Sequence, residues 1–303
     1  MAQVDGILLL DKPSGISSNS ALQKVRYMLD ASKAGHSGTL DPMATGLLPI
    51  GLGQGTKALA YLLDAHKRYV ATLKLGEKTA TGDAEGEVIE RKSVPHLSAS
   101  LLESVIARFR GVFAQTPPMY SALKQQGRPL YELAREGIVV KRAAREIHFY
   151  AIELLSWTEN SIQLQVWCSK GTYIRVLAED IGQALGCGAH LTALRRIGVA
   201  GFDAISEGDK GEFTWCDWSS VLNQTLSSFL LPVDSALMHF DAITVTDDVL
   251  QRLSQGQKIS ANDLPAPIEN PNPMRCYSES GEFFALVKAT PYQGIMLERW
   301  MRS

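Results

Sequence analysis

The pattern of apolar and polar positions predicts both strands and helices in the first two thirds of the chain. In KRYVATLKLG (67–76) every second residue from Tyr69 to Leu75 is apolar, which predicts a strand with one buried face. The continuous apolar run GILLL (6–10) predicts a fully buried strand, and the PSG sequence shortly after it predicts a turn.

Three stretches carry the 3.6-residue periodicity of amphipathic helices. The first follows Ser18, which is predicted to cap it, and the second spans 98–111, with Ser100 as its predicted cap. The third follows a turn at Gly171, and Gly186 is predicted to end it.

The pattern changes beyond about residue 232. Helical periodicity fades, and the stretch 262–274 contains four prolines in thirteen residues, which predicts a long surface loop. Short strand-like runs flank it: DAITV, FFALVKA and GIMLERW. We therefore expect a small β-rich domain at 241–303 after a larger domain at 1–240.

Composition adds only the broad class of protein. The chain has 303 residues, of which 45% are hydrophobic, as is ordinary for a soluble globular protein. A formal net charge of −2 gives no argument for nucleic-acid binding, which therefore needs local basic clusters. The four cysteines lie far apart without a CxxC pair, and the N-terminus lacks a signal-peptide pattern. We expect a cytoplasmic protein with no membrane span, metal site or disulfide framework.

The segment GHSGTLDPMATGLLPIG (35–51) is rich in glycine and proline and contains a single carboxylate, Asp41. An aspartate before proline is most often a turn former. Held rigidly among glycines, it would also suit a nucleophile that attacks a sugar or base carbon. Simple glycoside hydrolysis is disfavoured, because it normally needs two carboxylates that flank the bond. The residues alone leave both roles of Asp41 open.

Several motifs together resemble one family, the TruB-type tRNA pseudouridine synthases. Besides the segment of Asp41 and KRYVATLKLG, they are LLLDKPSGISS (8–18), QTPPMYSALKQQGRPLYELAREG (115–137), KGTYIRVLAEDIG (170–182) and LTALRRIGVAGF (191–202). The resemblance implies an α+β fold, in which a central mixed, mostly antiparallel sheet is flanked by helices. It also implies a catalytic domain at 1–240, with an RNA-binding insertion at about 116–146, and a PUA-like domain at 241–303.

The family implies roles for three catalytic residues. Asp41 matches its nucleophilic aspartate, which attacks the nucleoside so that the bond to N1 breaks and the uracil rejoins the ribose through C5. Arg175 matches the arginine that pairs with this carboxylate and would keep it ionised. Tyr69 matches a tyrosine that stacks on the uracil and is a candidate base. No cofactor and no metal are implied. Because the detached uracil stays bound, the reaction needs no second carboxylate.

The resemblance makes four further positions candidate substrate-binding residues. Tyr173 and Leu194 match residues that line the same pocket. His36 matches a histidine that enters the tRNA fold and stacks where extruded bases lay. Extruding a base costs on the order of a few kcal/mol, and the stacked imidazole would compensate part of this cost. Lys12 belongs to the lysine–proline motif, for which a structural role and an RNA contact are both open.

A local basic cluster supplies the electrostatic argument that the net charge lacks. The stretch 124–145 contains six lysines and arginines against two glutamates. Such a run is often only a solvated face, whereas in the family it belongs to a segment that folds over the tRNA arm. The predicted RNA-binding residues are Lys124, Arg128, Lys141, Arg142 and Arg145.

The resemblance implies isomerisation of the T-loop uridine of tRNA (position 55 in tRNA numbering) on a flipped-out base. The T-arm stem-loop is the expected partner, and no obligate protein partner is evident. Two alternatives stay open: a tRNA-folding or RNA-binding protein with secondary catalysis, and a synthase that acts on rRNA. The TLD triplet disfavours the second, because other synthase groups typically carry an RLD-type triplet. Whether Asp41 attacks C6 or C1′, and which group carries the proton, are open as well.

Overall fold

The computed structural model describes residues 4–121, 123–202, 213–266, 268 and 270–302. The α-helices are α1 (Ser18–Met28), α2 (Gly55–Leu63), α3 (Ala99–Ala107), α4 (Leu130–Arg135), α5 (Ile174–Ala184), α6 (Trp218–Leu222) and α7 (Asp247–Ser254). The strands are β1 (Gly6–Lys12), β2 (Ala34–His36), β3 (Thr45–Leu52), β4 (Lys67–Leu75), β5 (Glu77–Thr79), β6 (Val88–Arg91), β7 (Gly111–Gln115), β8 (Lys124–Gln125), β9 (Arg128–Pro129), β10 (Arg145–Trp157), β11 (Ser161–Cys168), β12 (Ala189–Val199), β13 (Ala242–Val245), β14 (Met274–Ser278), β15 (Phe283–Ala289) and β16 (Ile295–Trp300).

An eight-stranded sheet forms the centre of the molecule. Its strand order is β1-β3-β12-β4-β11-β10-β7, and β2 adds to β3. Every neighbouring pair is antiparallel except β3 and β12, which run parallel. The predicted mixed, mostly antiparallel sheet is therefore confirmed.

The strand β4 lies in the middle of this sheet and carries the predicted alternation. Its residues from Lys67 to Leu75 are buried at every second position. Tyr69 and Leu73 join a large apolar core to which α3 and α5 contribute, for example through Ile106 and Leu177. The helices thus cover the face of the sheet to which Tyr69 points, and this face opens at the site described below.

The two predicted helix caps are displaced within the sequence. Ser17 caps α1 by accepting a hydrogen bond from the Ser20 amide, so the prediction of Ser18 is wrong. Likewise Ser98, and not Ser100, caps α3. Adjacent serines offer the same side-chain acceptor, and the backbone conformation of the preceding loop decides which one reaches the helix. The predicted turn at Gly171 and the end of α5 before Gly186 are confirmed, since both glycines have positive φ.

A second sheet of four strands follows near the C-terminus, in the order β13-β14-β15-β16. The three predicted strand-like runs form β13, β15 and β16. The expectation that helical periodicity fades is wrong for α7, a two-turn helix that Thr246 caps. This sheet contacts α2, where Lys57 Nζ donates a hydrogen bond to the Trp300 carbonyl at 2.7 Å. Of the predicted loop at 262–274, positions 267 and 269 lie outside the described residues.

Within the described residues, the helices are too short or too polar to cross a lipid bilayer.

Candidate active site

The loop that carries Asp41 joins β2 to β3 and is fixed by the segment that follows β1. Ser18 Oγ accepts from the Leu40 amide at 2.8 Å and donates to the Leu40 carbonyl at 2.9 Å. The Gly15 amide donates to the Pro42 carbonyl at 2.9 Å. Leu40 and Pro42, which flank Asp41, are thus both hydrogen-bonded to the segment 15–18. A side chain on so constrained a loop is held ready for chemistry rather than free to move.

Asp41 is paired with Arg175, as the resemblance implies. Arg175 lies in the first turn of α5, where it is 5% exposed, and its Nε is 3.1 Å from Asp41 Oδ2. The same guanidinium contacts a second carboxylate, because Nη1 lies 3.3 Å from Asp83 Oδ2. Arg175 therefore stands between two aspartates that the sequence separates widely.

Backbone carbonyls fix the remaining donors of Arg175. Nη1 donates to the Thr81 carbonyl at 3.1 Å, and Nη2 donates to the Tyr120 carbonyl at 2.6 Å. Asp83 is held in turn by the Thr81 hydroxyl at 2.5 Å and the Glu85 amide at 3.1 Å. The guanidinium thus connects the loop of Asp41, the turn around Asp83 and the start of the segment at 116–137.

The pKa of Asp41 is raised above its ordinary value, chiefly because the half-buried carboxyl is partly desolvated in the cleft. Arg175 and Lys12 lower this pKa, while the charge on Asp83 raises it further. Arg175 favours the ionised form of Asp41, as the resemblance implies, but the desolvation outweighs the attraction of the guanidinium. A carboxylate that is poorly solvated but well oriented is a suitable nucleophile.

The Asp41 side chain lines a cleft with a volume of about 260 Å³. Three other predicted site residues line the same cleft: Tyr69, Tyr173 and Leu194. Tyr173 precedes α5 and is held through its main chain, which exchanges two hydrogen bonds with the Gln115 side chain, at 2.8 and 3.1 Å. The structure thus brings together five residues from four separate motifs, Arg175 included.

Lys12 does not line the cleft. The side chain is fully buried, and its Nζ donates to the carbonyls of Pro13 and Ile16 at 2.8 Å and of Pro42 at 3.2 Å. Burial lowers the pKa of Lys12 to about 8. Because all three donors of the ammonium are occupied by carbonyls, these contacts favour the structural role over the predicted substrate contact.

His36 lies at the end of the short strand β2 and is half-buried. Its Nδ1 is buried and has no hydrogen-bond partner among the described residues. Burial, and secondarily the charge of Arg196, lower the pKa of His36. A neutral imidazole beside the Asp41 loop is compatible with stacking on a base, and this role stays a prediction.

The predicted RNA-binding residues lie away from the cleft floor, on the segment that contains β8, β9 and α4 and on the start of β10. Arg128 is paired with Glu136 at 2.5 Å on the surface, and Arg142 is half-buried. The other three are exposed and are Lys124, Lys141 and Arg145. Exposed cations on a segment anchored at the cleft could reach phosphates, while the solvated-face alternative stays open.

Three residues of the site were not predicted from the sequence. Asp83 lies in TGDAEG, a turn whose glycines could have drawn notice to the acid between them. Arg196 follows Leu194 by two positions, so strand alternation places it on the buried face, where an arginine is unusual. Lys67 shares that face of β4, and both cations line the cleft.

Comparison with solved structures agrees with the fold class. A chain in the crystal structure of a Cbf5–Nop10–Gar1 complex aligns with a TM-score of 0.74 and 25% identity, over 98% of this chain and 85% of that one. A chain in the structure of an H/ACA RNP bound to a substrate RNA containing 2′-deoxyuridine aligns with a TM-score of 0.72 and 23% identity, over 98% and 85%. The mixed sheet, its helices and the small C-terminal sheet together define the α+β fold of pseudouridine synthases.

Comparison of sequences is more specific. The model for the N-terminal domain of the TruB family of pseudouridylate synthases matches residues 26–174, and the model for the C-terminal domain of tRNA pseudouridylate synthase B matches 175–238. The tRNA pseudouridine synthase B of Chromohalobacter salexigens is 51% identical over 95% of this chain and 91% of its own length. That of Chromobacterium violaceum is 48% identical over 93% and 89%. The chain belongs to the TruB family of pseudouridylate synthases.

Proposed function

We propose that this protein isomerises uridine to pseudouridine at position 55, in the T-loop of tRNA, with Asp41 as the nucleophile. The observation that carries the proposal is the ion pair between Asp41 and Arg175 in the cleft that Tyr69 also lines. The relatives named tRNA pseudouridine synthase B support tRNA as the substrate, because they are about half identical over nearly the whole chain.

The placement of the carboxylates favours isomerisation over hydrolysis. Asp83 lies behind Arg175, its side chain is only 3% exposed, and it is not one of the residues that line the cleft. Of Asp41 and Asp83, only Asp41 would therefore face a substrate in the cleft. A hydrolase of the usual type needs an acid on each side of the bond. A reaction that keeps its leaving group bound and rejoins it through C5 needs one nucleophile.

The cleft walls suit a single extruded base. The ring of Tyr69 offers a stacking surface that does not depend on base identity, and Leu194 provides an apolar contact. Such walls would hold the detached uracil while it turns from N1 to C5. The segment with Lys124, Lys141 and Arg145 would supply phosphate contacts to the T-arm, whose shape provides selectivity.

The remaining parts of the proposal concern organisation. We assign residues 1–240 to the catalytic domain, with the RNA-binding insertion at about 116–146, and 241–303 to a PUA-like domain that assists tRNA binding. The four-stranded sheet from β13 to β16 and its own apolar core support this division. A cytoplasmic location follows from the substrate.

The test is the variant Asp41→Asn assayed on a T-arm RNA hairpin. We expect isomerisation to be abolished while the dissociation constant for the hairpin changes less than about threefold, because the neutral amide keeps the shape of the side chain. Asp248→Asn, which alters an exposed aspartate on α7, serves as the control and should retain activity. Binding that falls in proportion to turnover would contradict the assignment of Asp41 as nucleophile.

A second experiment separates the alternatives. Pseudouridine would be mapped in total RNA from cells that lack this protein, with and without a plasmid that encodes Asp41→Asn. Loss at the tRNA T-loop that the variant does not restore supports the proposal. Loss confined to rRNA would establish the rRNA synthase, and a tRNA folding defect that the variant corrects would establish the folding activity.

A further inference from the structure

Arg196 is an unusual buried cation at the centre of the sheet. It is 1% exposed on β12, where it lies in register with Tyr69 on β4 and with Gly46 on β3. Among the residues that the structure describes, Arg196 has no carboxylate within 4.0 Å. Its neighbours in the site and in the sequence differ in this respect, because Arg175 pairs with Asp41 and Arg195 pairs with Asp11. A buried guanidinium without a carboxylate is costly, so its hydrogen-bond partners must compensate.

Those partners are two backbone carbonyls, and the phenol of Tyr69 lies beside them. Nε donates to the Leu47 carbonyl at 2.7 Å, and Nη2 donates to the Gly38 carbonyl at 3.0 Å. Tyr69 is the direct cross-strand neighbour of Arg196, and the Tyr69 hydroxyl lies within reach of the same guanidinium, whose charge lowers the pKa of the phenol. Gly38 precedes Asp41 by three residues, so the same guanidinium contacts both the loop of the nucleophile and the cleft tyrosine.

We propose that Arg196 is a positioning residue that orients the hydroxyl of Tyr69 and the loop of Asp41 for the reaction. A guanidinium can only donate hydrogen bonds, so the phenol oxygen of Tyr69 must accept one. The phenol hydrogen is then directed away from Arg196, and the open side of the ring is the cleft. Tyr69 is thereby presented to the substrate as a hydrogen-bond donor. This inference rests on the proposed function.

The electrostatics of Tyr69 agree with a neutral phenol. Burial raises the pKa of Tyr69, Arg196 lowers it, and Cys168 and Asp41 raise it. Because burial is the largest of these effects, the hydroxyl keeps its hydrogen near neutral pH.

The test is a double-mutant cycle with Arg196→Lys and Tyr69→Phe, measured by single-turnover isomerisation of the T-arm hairpin and by hairpin binding. In the wild-type background, Arg196→Lys should slow the chemical step about 10- to 100-fold, the equivalent of one charge-assisted hydrogen bond, and change the dissociation constant less than about threefold. In the Tyr69→Phe background the same change should slow the step by a factor at least about threefold smaller than in the wild-type background, because only the contact of Arg196 with the loop of Asp41 is then lost. A merely structural role would slow both backgrounds equally, and that result would overturn the proposal.

A stability measurement keeps the proposal testable if the Arg196 variant does not fold. Tyr69→Phe alone should lower the melting temperature, because it removes an acceptor from a buried guanidinium, whereas Tyr27→Phe at a residue that is 79% exposed should not. An unchanged melting temperature for Tyr69→Phe would overturn the proposal. Arg195→Lys is the neighbouring control, because Arg195 lies on the opposite face of β12 and pairs with Asp11. If the wild-type protein does not isomerise the hairpin, the proposed function fails; if it does and the cycle shows no coupling, only this inference fails.

Discussion

Replacing Asp83 by asparagine tests whether this second carboxylate supports Asp41 through Arg175. Asparagine keeps an oxygen that accepts from the Thr81 hydroxyl and the Glu85 amide. With that oxygen in place, the amide nitrogen, a hydrogen-bond donor, lies 3.3 Å from Arg175 Nη1 in place of Asp83 Oδ2. The substitution therefore removes one charge and one ion pair while it preserves the shape of the turn.

The distance gives the size of the effect. Two unit charges 3.3 Å apart attract by about 5 kcal/mol at an effective dielectric constant of about 20. Most of this is offset, because the variant no longer buries a carboxylate and Arg175 keeps Asp41 as its partner. A net loss of about 1–3 kcal/mol remains, which corresponds to a fall of about 2–6 °C in melting temperature. Without the charge of Asp83, Nη1 of Arg175 keeps only the Thr81 carbonyl as its partner, so Arg175 is less firmly oriented toward Asp41 and we expect kcat to fall about 10-fold or more.

The assay compares thermal unfolding, hairpin binding and isomerisation for Asp83→Asn and for Asp263→Asn. The control has a matched geometry, because Arg252 also pairs with two aspartates, Asp248 and Asp263, but on the surface. Exposed pairs contribute little, so this variant should change each quantity only slightly. Equal, small effects of both variants would refute the reasoning, as would a loss of hairpin binding that matches the loss of turnover.

Three further predictions follow from individual contacts. Burial raises the pKa of Asp41 in the folded protein above its ordinary value of 3.8. The charge on Asp41 therefore lowers the stability of the fold at a pH above the raised pKa, and this loss of stability is absent at a pH below 3.8. Thermal unfolding should therefore show Asp41→Asn more stable than wild type at neutral pH, with a difference that vanishes as the pH falls toward 3.8. The double variant Lys141→Ala, Arg142→Ala should bind the hairpin more weakly, with a salt dependence reduced by up to about two phosphate contacts. Gly46→Ala should destabilise by more than about 3 kcal/mol in urea unfolding, because φ is +97° and the added Cβ would lie 2.2 Å from a carbonyl oxygen of β12.

Each of these has its own control. A stability difference for Asp41→Asn that grows on acidification would reverse the sign of the argument. An unchanged salt dependence would show that Lys141 and Arg142 belong to a solvated face only. For Gly46→Ala the comparison is Gly111→Ala, which shares a positive φ but has open space around the added Cβ. If both glycine variants lose the same stability, backbone strain alone and not the close approach of β12 is responsible.

Local patterns in the sequence predicted several elements of the fold. The alternation in β4 identified its buried face, and Gly171 and Gly186 marked the turns around α5, because periodicity and glycine conformation depend on neighbouring residues. The caps were displaced to Ser17 and Ser98, since adjacent serines are chemically equivalent. The helix α7 was missed, because a two-turn helix gives a weak periodic signal.

The sequence by itself also singled out Asp41 as a lone carboxylate, and the shared motifs connected it with Tyr69 and Arg175. Tertiary structure alone showed that Asp83 is the second partner of Arg175 and that Arg196 contacts Tyr69. The physical reason is that two charged groups interact only when they lie close together in space. Sheet register and loop packing set the distance between them, and local sequence patterns do not show it. The sequence therefore indicated the candidate site residues, whereas the fold decided which buried charges hold them in place.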